Sequence, residues 1–239
     1  MREMGAVCLL LMAAVVATTC GNTKMKTKEY FSDPHVVTLV EAADRGDARG
    51  VAAAVAAGAS PNAEGKEGIT PFLFVLASSR NKTGLRALLQ SGADPNRFTA
   101  GGMCPMVLAV RAEDPEFLRI LLGGGGNANL KNASSEPVLQ VAARDARWKN
   151  VEQLLEHGAD INAVDGSSFT VLMNLVALRR YEQIGWLIEK GADVRVKTPN
   201  GTTLAQLVKK VTVRSDSPAF QWREKVIELL RERGEDVAR

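Results

Sequence analysis

Two histidines, three cysteines and two tyrosines in 239 residues leave little side-chain material for chemistry. His35 and His157 stand far apart, so no Ser-His-Asp or Cys-His set can be placed on neighbouring segments. Cys8, Cys20 and Cys104 are too few and too scattered for a metal cluster or a disulfide framework. The formal net charge is only +3, which gives no bulk attraction for nucleic acid. No glycine-rich phosphate loop opens a helix after a strand pattern; Gly123 to Gly126 falls at a helix end. Sheet-forming alternation is also missing. These gaps predict no enzyme, no cofactor and no metal. Aromatic residues make up 5% of a chain otherwise rich in Ala, Leu, Val and Gly, a composition suited to helices packed through small side chains.

The amino terminus reads separately from the fold. Arg2 precedes an apolar run from Met4 to Ala17, shorter than the roughly 20 residues a bilayer span needs. Residues 1–19 therefore read as an export signal. Ala17-Thr18-Thr19-Cys20 resembles a bacterial lipobox, which makes Cys20 the expected lipidation site and mature first residue. Leu is usual where Ala17 stands, and a smaller residue where Thr19 stands. Glu3 and the run of Lys24, Lys26 and Lys28 also depart from the ideal charge pattern. The polar stretch 20–34 reads as a tether, reaching about 20 Å if flexible. Gly21 carries no retention acid, which favours the outer membrane for a periplasm-facing, lipid-anchored protein.

Beyond residue 34 the chain is periodic. Gly58, Gly92, Gly125, Gly158, Gly191 and Gly234 follow leucine-rich segments at spacings of 34, 33, 33, 33 and 43 residues. Apolar triads precede all but the first in constant register: Leu85/Leu88/Leu89, Leu118/Leu121/Leu122, Val151/Leu154/Leu155, Ile184/Leu187/Ile188 and Val226/Leu229/Leu230. Their i, i+3, i+4 spacing marks one helix face. Each glycine suits the left-handed residue that ends a helix, and the Asp and Asn that follow favour a turn. A first helix precedes each triad, with Pro71, Pro105 and Pro137 expected at its start.

The pattern resembles that of ankyrin repeats, T-P-L-H, I-V-x-L-L and G-A-D-x-N, over residues 35–239, with both opening residues kept at Thr70-Pro71. The resemblance implies an all-α solenoid of about six helix-turn-helix units with hairpin-like tips, at 35–67, 68–101, 102–133, 134–166, 167–200 and 201–239. Leu73, Val107 and Leu139 are read at the motif histidine position, which puts its inter-repeat hydrogen bonds in doubt. The alanine-rich first unit and the charged last helix read as caps.

Such an array offers a concave surface of tips and first helices to another macromolecule. Lys66, Glu67, Arg97, Phe98, Met103, Lys131 and Phe169 fall at the tips, with Phe98 and Phe169 as aromatic candidates for contact. Arg45, Arg80, Arg111, Arg144, Arg179, Arg180, Lys209 and Lys210 fall near first-helix ends, where they either complement the helix dipole or recognise an acidic partner. Trp148, Trp186 and Trp222 read as packing residues, and Cys104 as a buried spacer. The resemblance implies one protein partner, with the free chain a monomer. Exported bacterial proteins of this description are similar to immunity proteins that occlude secreted antibacterial toxins, such as phospholipase effectors of type VI secretion. The alternatives are a non-inhibitory periplasmic scaffold, or stress-related protein, supporting an envelope enzyme, and an effector directed at a host.

Overall fold

The computed structural model describes residues 26–237, so the signal at 1–19 and the candidate lipidation site Cys20 lie outside the described residues. Among the described residues the regular elements are thirteen α-helices, one 3-10 turn and two isolated antiparallel bridges, Lys131 to Pro137 and Lys197 to Thr203. The chain divides into two compact units, one ending at Asn127 and the other beginning at Ala128.

The first unit contains α1 (Thr27–Tyr30), α2 (Pro34–Asp44), α3 (Ala48–Ala56), the 3-10 turn Lys66–Gly68, α4 (Pro71–Ala77), α5 (Lys82–Gln90), α6 (Pro105–Arg111) and α7 (Glu116–Gly123). Helix α2 packs on α3, α4 and α5; α4 then packs on α6, and α5 on α7. The second unit contains α8 (Val138–Arg144), α9 (Trp148–Glu156), α10 (Val171–Ala177), α11 (Tyr181–Glu189), α12 (Leu204–Lys210) and α13 (Pro218–Glu232). There α8 packs on α9 and α10, α10 on α11 and α12, and α11 on α13. Each unit is thus a stack of helix pairs.

The triads hold these stacks together. Leu85, Leu88, Leu118, Leu121, Val151, Leu154, Ile184 and Leu187 are fully buried, each contributing roughly 1.5–3 kcal/mol by leaving water. In α13 the buried set turns to Val226, Ile227 and Leu230, leaving Leu229 half-buried. The six predicted capping glycines all adopt positive φ, from 80° to 101°. Side-chain oxygens of Asp47, Thr70, Asn81, Thr170 and Thr203 accept backbone N–H bonds at helix starts, each cap contributing about 1 kcal/mol.

Two expectations change. The stretch 20–34 was expected to be a tether, yet Thr27–Tyr30 is helical and Phe31 is buried. Tyr30 and Phe31 meet Phe74 edge-on, with ring centroids 5.4 and 5.8 Å apart. An aromatic cluster of this kind docks the segment firmly, since such pairs add to the burial of their large apolar area. Pro137 was expected inside the helix start, yet it caps α8 from outside. That one-residue shift moves Gln140, not Leu139, into the position that Leu73 and Val107 hold in the preceding pairs.

Candidate protein-binding surface

Between successive helix pairs the chain makes a tip with a recurring hydrogen-bond pattern. Backbone N–H groups of Gly65, Thr99, Asn132, Asp165 and Thr198 donate to carbonyls four residues on, at 2.8–3.1 Å. The residue before the closing carbonyl lies near left-handed geometry: Gly68, Gly102, Ser135, Ser168 and Gly201 have φ of 60° to 78°. Side-chain oxygens of Thr99, Asn132, Asp165 and Thr198 brace the same turns by accepting backbone N–H bonds. In the first tip Gly65 replaces that brace, because a Cβ there would fall 2.5 Å from the Tyr30 carbonyl oxygen.

The Asn that closes each G-A-D-x-N segment does more than turn the chain. Asn62 Nδ2 donates to the Gly92 carbonyl at 2.7 Å, and its Oδ1 accepts from the Asp94 amide at 2.8 Å. Asn96 bridges to Gly125 and Asn127 in the same way, and Asn129 to Gly158 and Asp160. Asn162 accepts from Asp193, and Arg195 then stands where the next Asn would. The turn role also holds, since Asp94, Asp160 and Asp193 accept the amide two residues on. Asp thus shapes these turns, and Asn ties each to its neighbour.

Gln140 supplies a second polar link. It is buried, and its Nε2 donates to the carbonyls of Ala163 and Phe169, both at 2.9 Å. Asn174 Nδ2 donates to Gln140 Oε1 at 2.7 Å and to Asp165 Oδ2 at 2.9 Å. Burial works against ionisation of Asp165. The bonds from Asn174 and from the Phe169 and Ser167 amides, with Lys131 nearby, outweigh it and hold the carboxyl below its ordinary range. The doubt over inter-repeat hydrogen bonds is therefore corrected in the second unit: glutamine provides them.

The predicted contact residues divide. In the first unit Lys66 and Glu67 are exposed, with Glu67 at φ 60°. Phe98 is 36% exposed, beside Arg97, which pairs with Glu64 and donates to the Asn62 carbonyl. Met103 was expected at the exposed tip and is buried, because the turn folds it under Thr99. Arg111 is half-buried. In the second unit Lys131 is exposed and donates to the Val164 carbonyl at 2.9 Å, while Phe169 is only half-buried. Arg144 pairs with Glu136 and Asp145. Arg179 is exposed at φ 53°, and Arg180 is half-buried.

The basic row is therefore not uniform. Arg80 spends its charge on the Phe117 ring, 4.5 Å from the centroid, and Arg144 is neutralised by two acids. The row also hid Leu178, which is 46% exposed immediately before Arg179 and Arg180. The tryptophans are half-buried rather than core, and Lys190 and Lys225 lie over the rings of Trp186 and Trp222. Cys104 is fully buried, with its Sγ 3.6 Å from the Pro95 carbonyl oxygen. Burial raises its thiol pKa, so it stays protonated and inert. His157 caps α9, with Nδ1 2.8 Å from the Gln153 carbonyl oxygen.

The family model for ankyrin repeats, in three copies, matches residues 106–198. Residues 106–198 thus resemble ankyrin repeats. The crystal structure of the ankyrin repeat domain of Bcl-3, a member of the IkappaB protein family, is similar with a TM-score of 0.68 and 24% identity, covering 83% of this chain and 86% of that one. An ankyrin repeat domain from Acinetobacter baumannii, ABAYE2397, gives 0.66 and 22%, covering 83% and 98%. The ankyrin repeat protein EF0377 gives 0.64 and 24%, covering 81% and 97%. No curated protein matches the sequence significantly. The fold class is the ankyrin-repeat solenoid, and its known use in general is to bind other proteins through an extended surface.

Proposed function

We propose that the protein is a lipid-anchored binding module of the bacterial envelope that holds one protein partner, a secreted toxic hydrolase, and occludes its active site. The observation that carries this reading is the exposure of Phe98 beside Arg97 on a braced tip. Aromatic side chains, Phe among them, and arginine are enriched at protein–protein interfaces. The lipobox-like Ala17-Thr18-Thr19-Cys20 supports placement at the membrane, and the docking of Tyr30 and Phe31 on Phe74 would leave only a short lead between lipid and repeats. Inhibition would be steric, requiring no chemistry from the repeats.

The test is to co-express the protein with a secreted phospholipase-type hydrolase encoded beside it and to follow lipid hydrolysis. A tight one-to-one complex without hydrolysis is expected, weakened by Phe98→Ala and by the charge reversal Arg111→Glu. A complex that leaves hydrolysis at full rate would replace inhibition with the scaffold reading. Cys20→Ala should move the protein from the membrane to the soluble fraction; retention would remove the lipid anchor from the proposal.

A further inference from the structure

In the second unit α10 packs against α12, and exposed cations lie at or just beyond the C-terminal ends of both helices. Leu178 caps α10 and is 46% exposed, against 36% for Phe98. Arg179 follows it in left-handed geometry, exposed, and Arg180 is half-buried. Lys209 and Lys210 end α12 and are also exposed. Helix α13 joins the two ends: Arg223 Nε donates to the Val208 carbonyl at 3.1 Å, one residue before Lys209. Burial pushes the Tyr181 hydroxyl pKa up, opposed by the Arg223 and Arg179 guanidiniums.

Of the cations gathered here, Arg223 has an acidic partner, Glu224, and among the described residues the other four do not. Arg144 has Glu136 and Asp145, Arg214 has Asp216, and Arg223 has Glu224. Among the described residues no carboxylate forms an ion pair with Arg179, Arg180, Lys209 or Lys210. Like charges gathered this way repel one another, and a negative partner would relieve that repulsion. The exposed apolar surface at the centre asks for one apolar group from the same partner. A membrane would need several inserting apolar side chains, whereas Leu178 is the one large exposed hydrophobic in this unit among the described residues.

We propose that this patch receives an acidic segment of a protein partner, one apolar side chain resting on Leu178 and flanking carboxylates meeting Arg179, Lys209 and Lys210. The inference rests on the protein-binding reading above and assigns part of that contact to the second unit.

The probe is a labelled peptide of alternating glutamate and serine around a single leucine, titrated at low salt and read by fluorescence anisotropy. Lys209→Glu with Lys210→Glu should weaken binding about tenfold or more. Leu178→Ser should weaken it several-fold, and the peptide's own leucine-to-serine change should add nothing further in that variant. Circular dichroism melts verify that these exposed substitutions leave the fold intact. Unchanged affinity after the charge reversal would overturn the proposal. So would tighter binding, lost in the same variants, to phosphatidylglycerol-containing vesicles or to oligothymidylate. If a hydrolase is inhibited and its complex survives the double reversal, this inference fails while the inhibitor reading stands. If no hydrolase is inhibited but the peptide results hold, only the inhibitor reading fails.

Discussion

Gly84 of α5 presses against Ala43 of α2 so closely that a Cβ on Gly84 would lie 1.9 Å from the Ala43 carbonyl oxygen and 2.6 Å from its carbonyl carbon. Both neighbours are backbone, so no rotamer change can make room. Gly84→Ala should therefore destabilise the protein by about 2–3 kcal/mol, the upper part of the usual overpacking range. Gly123, at the end of α7, meets nothing within 4 Å. Gly123→Ala should be neutral or stabilising by up to about 1 kcal/mol, through helix propensity. Urea unfolding of the two variants decides the point: equal effects would mean that the close approach is not what fixes Gly84.

The asparagine links make a second prediction. Asn96 both donates to the Gly125 carbonyl and accepts from the Asn127 amide, at 2.9 and 2.8 Å. Asn96→Ala removes both bonds at an exposed site, for a loss of roughly 1–2 kcal/mol. Asn96→Asp keeps the acceptor and loses the donor, so its loss should fall between. Hydrogen exchange should report the damage at the Asn127 amide. Protection there unchanged in Asn96→Ala would show that the link does not order the turn.

Gln140 carries a third. Its side chain satisfies two buried-side carbonyls and receives Asn174, so Gln140→Leu leaves three polar partners short while keeping the volume. A loss of about 2–4 kcal/mol is expected from unmade hydrogen bonds in a buried site. Gln140→His can restore a donor from the motif's own residue type and should lose less. Matching losses for Leu and His in thermal melts would argue that packing, not hydrogen bonding, holds this position.

These residues also mark where the sequence could and could not be read. The triads were legible because burial of Leu85, Leu88, Leu118 and Leu121 imposes a helix-face spacing that repeats with the fold's period. The capping glycines were legible because only glycine enters the left-handed region freely. The inter-repeat role of Asn62 was not, since its partners lie about one repeat on and local spacing carries no sign of them. Arg80, Ala146 and Arg179 take left-handed turn positions without glycine, so nothing in their identity announced it. Gln140 was hidden by Pro137, whose presence suggested a helix start one residue too early. Among the tip residues, chain position could not separate Met103, folded inward, from Phe98, left outside.

Acid should act on the second unit through Asp165. Its carboxyl is held below the ordinary range in the folded state, where Asn174 and two backbone amides donate to it. A group with a depressed folded pKa binds its proton more tightly when unfolded. Its stabilising contribution is therefore complete above the unfolded value of about 3.9 and is lost as pH falls through the lower folded value. Asp165→Asn removes this titration. Asn132 already fills the equivalent place one tip earlier, accepting the Ser134 and Glu136 amides, so the turn itself should survive. The new amide would nonetheless oppose the Asn174 donor, making the variant less stable at neutral pH. Unfolding measured at descending pH should bring wild type and variant together below about pH 4. A stability gap that stays constant through that window would show that the charge of Asp165 contributes nothing to the tip.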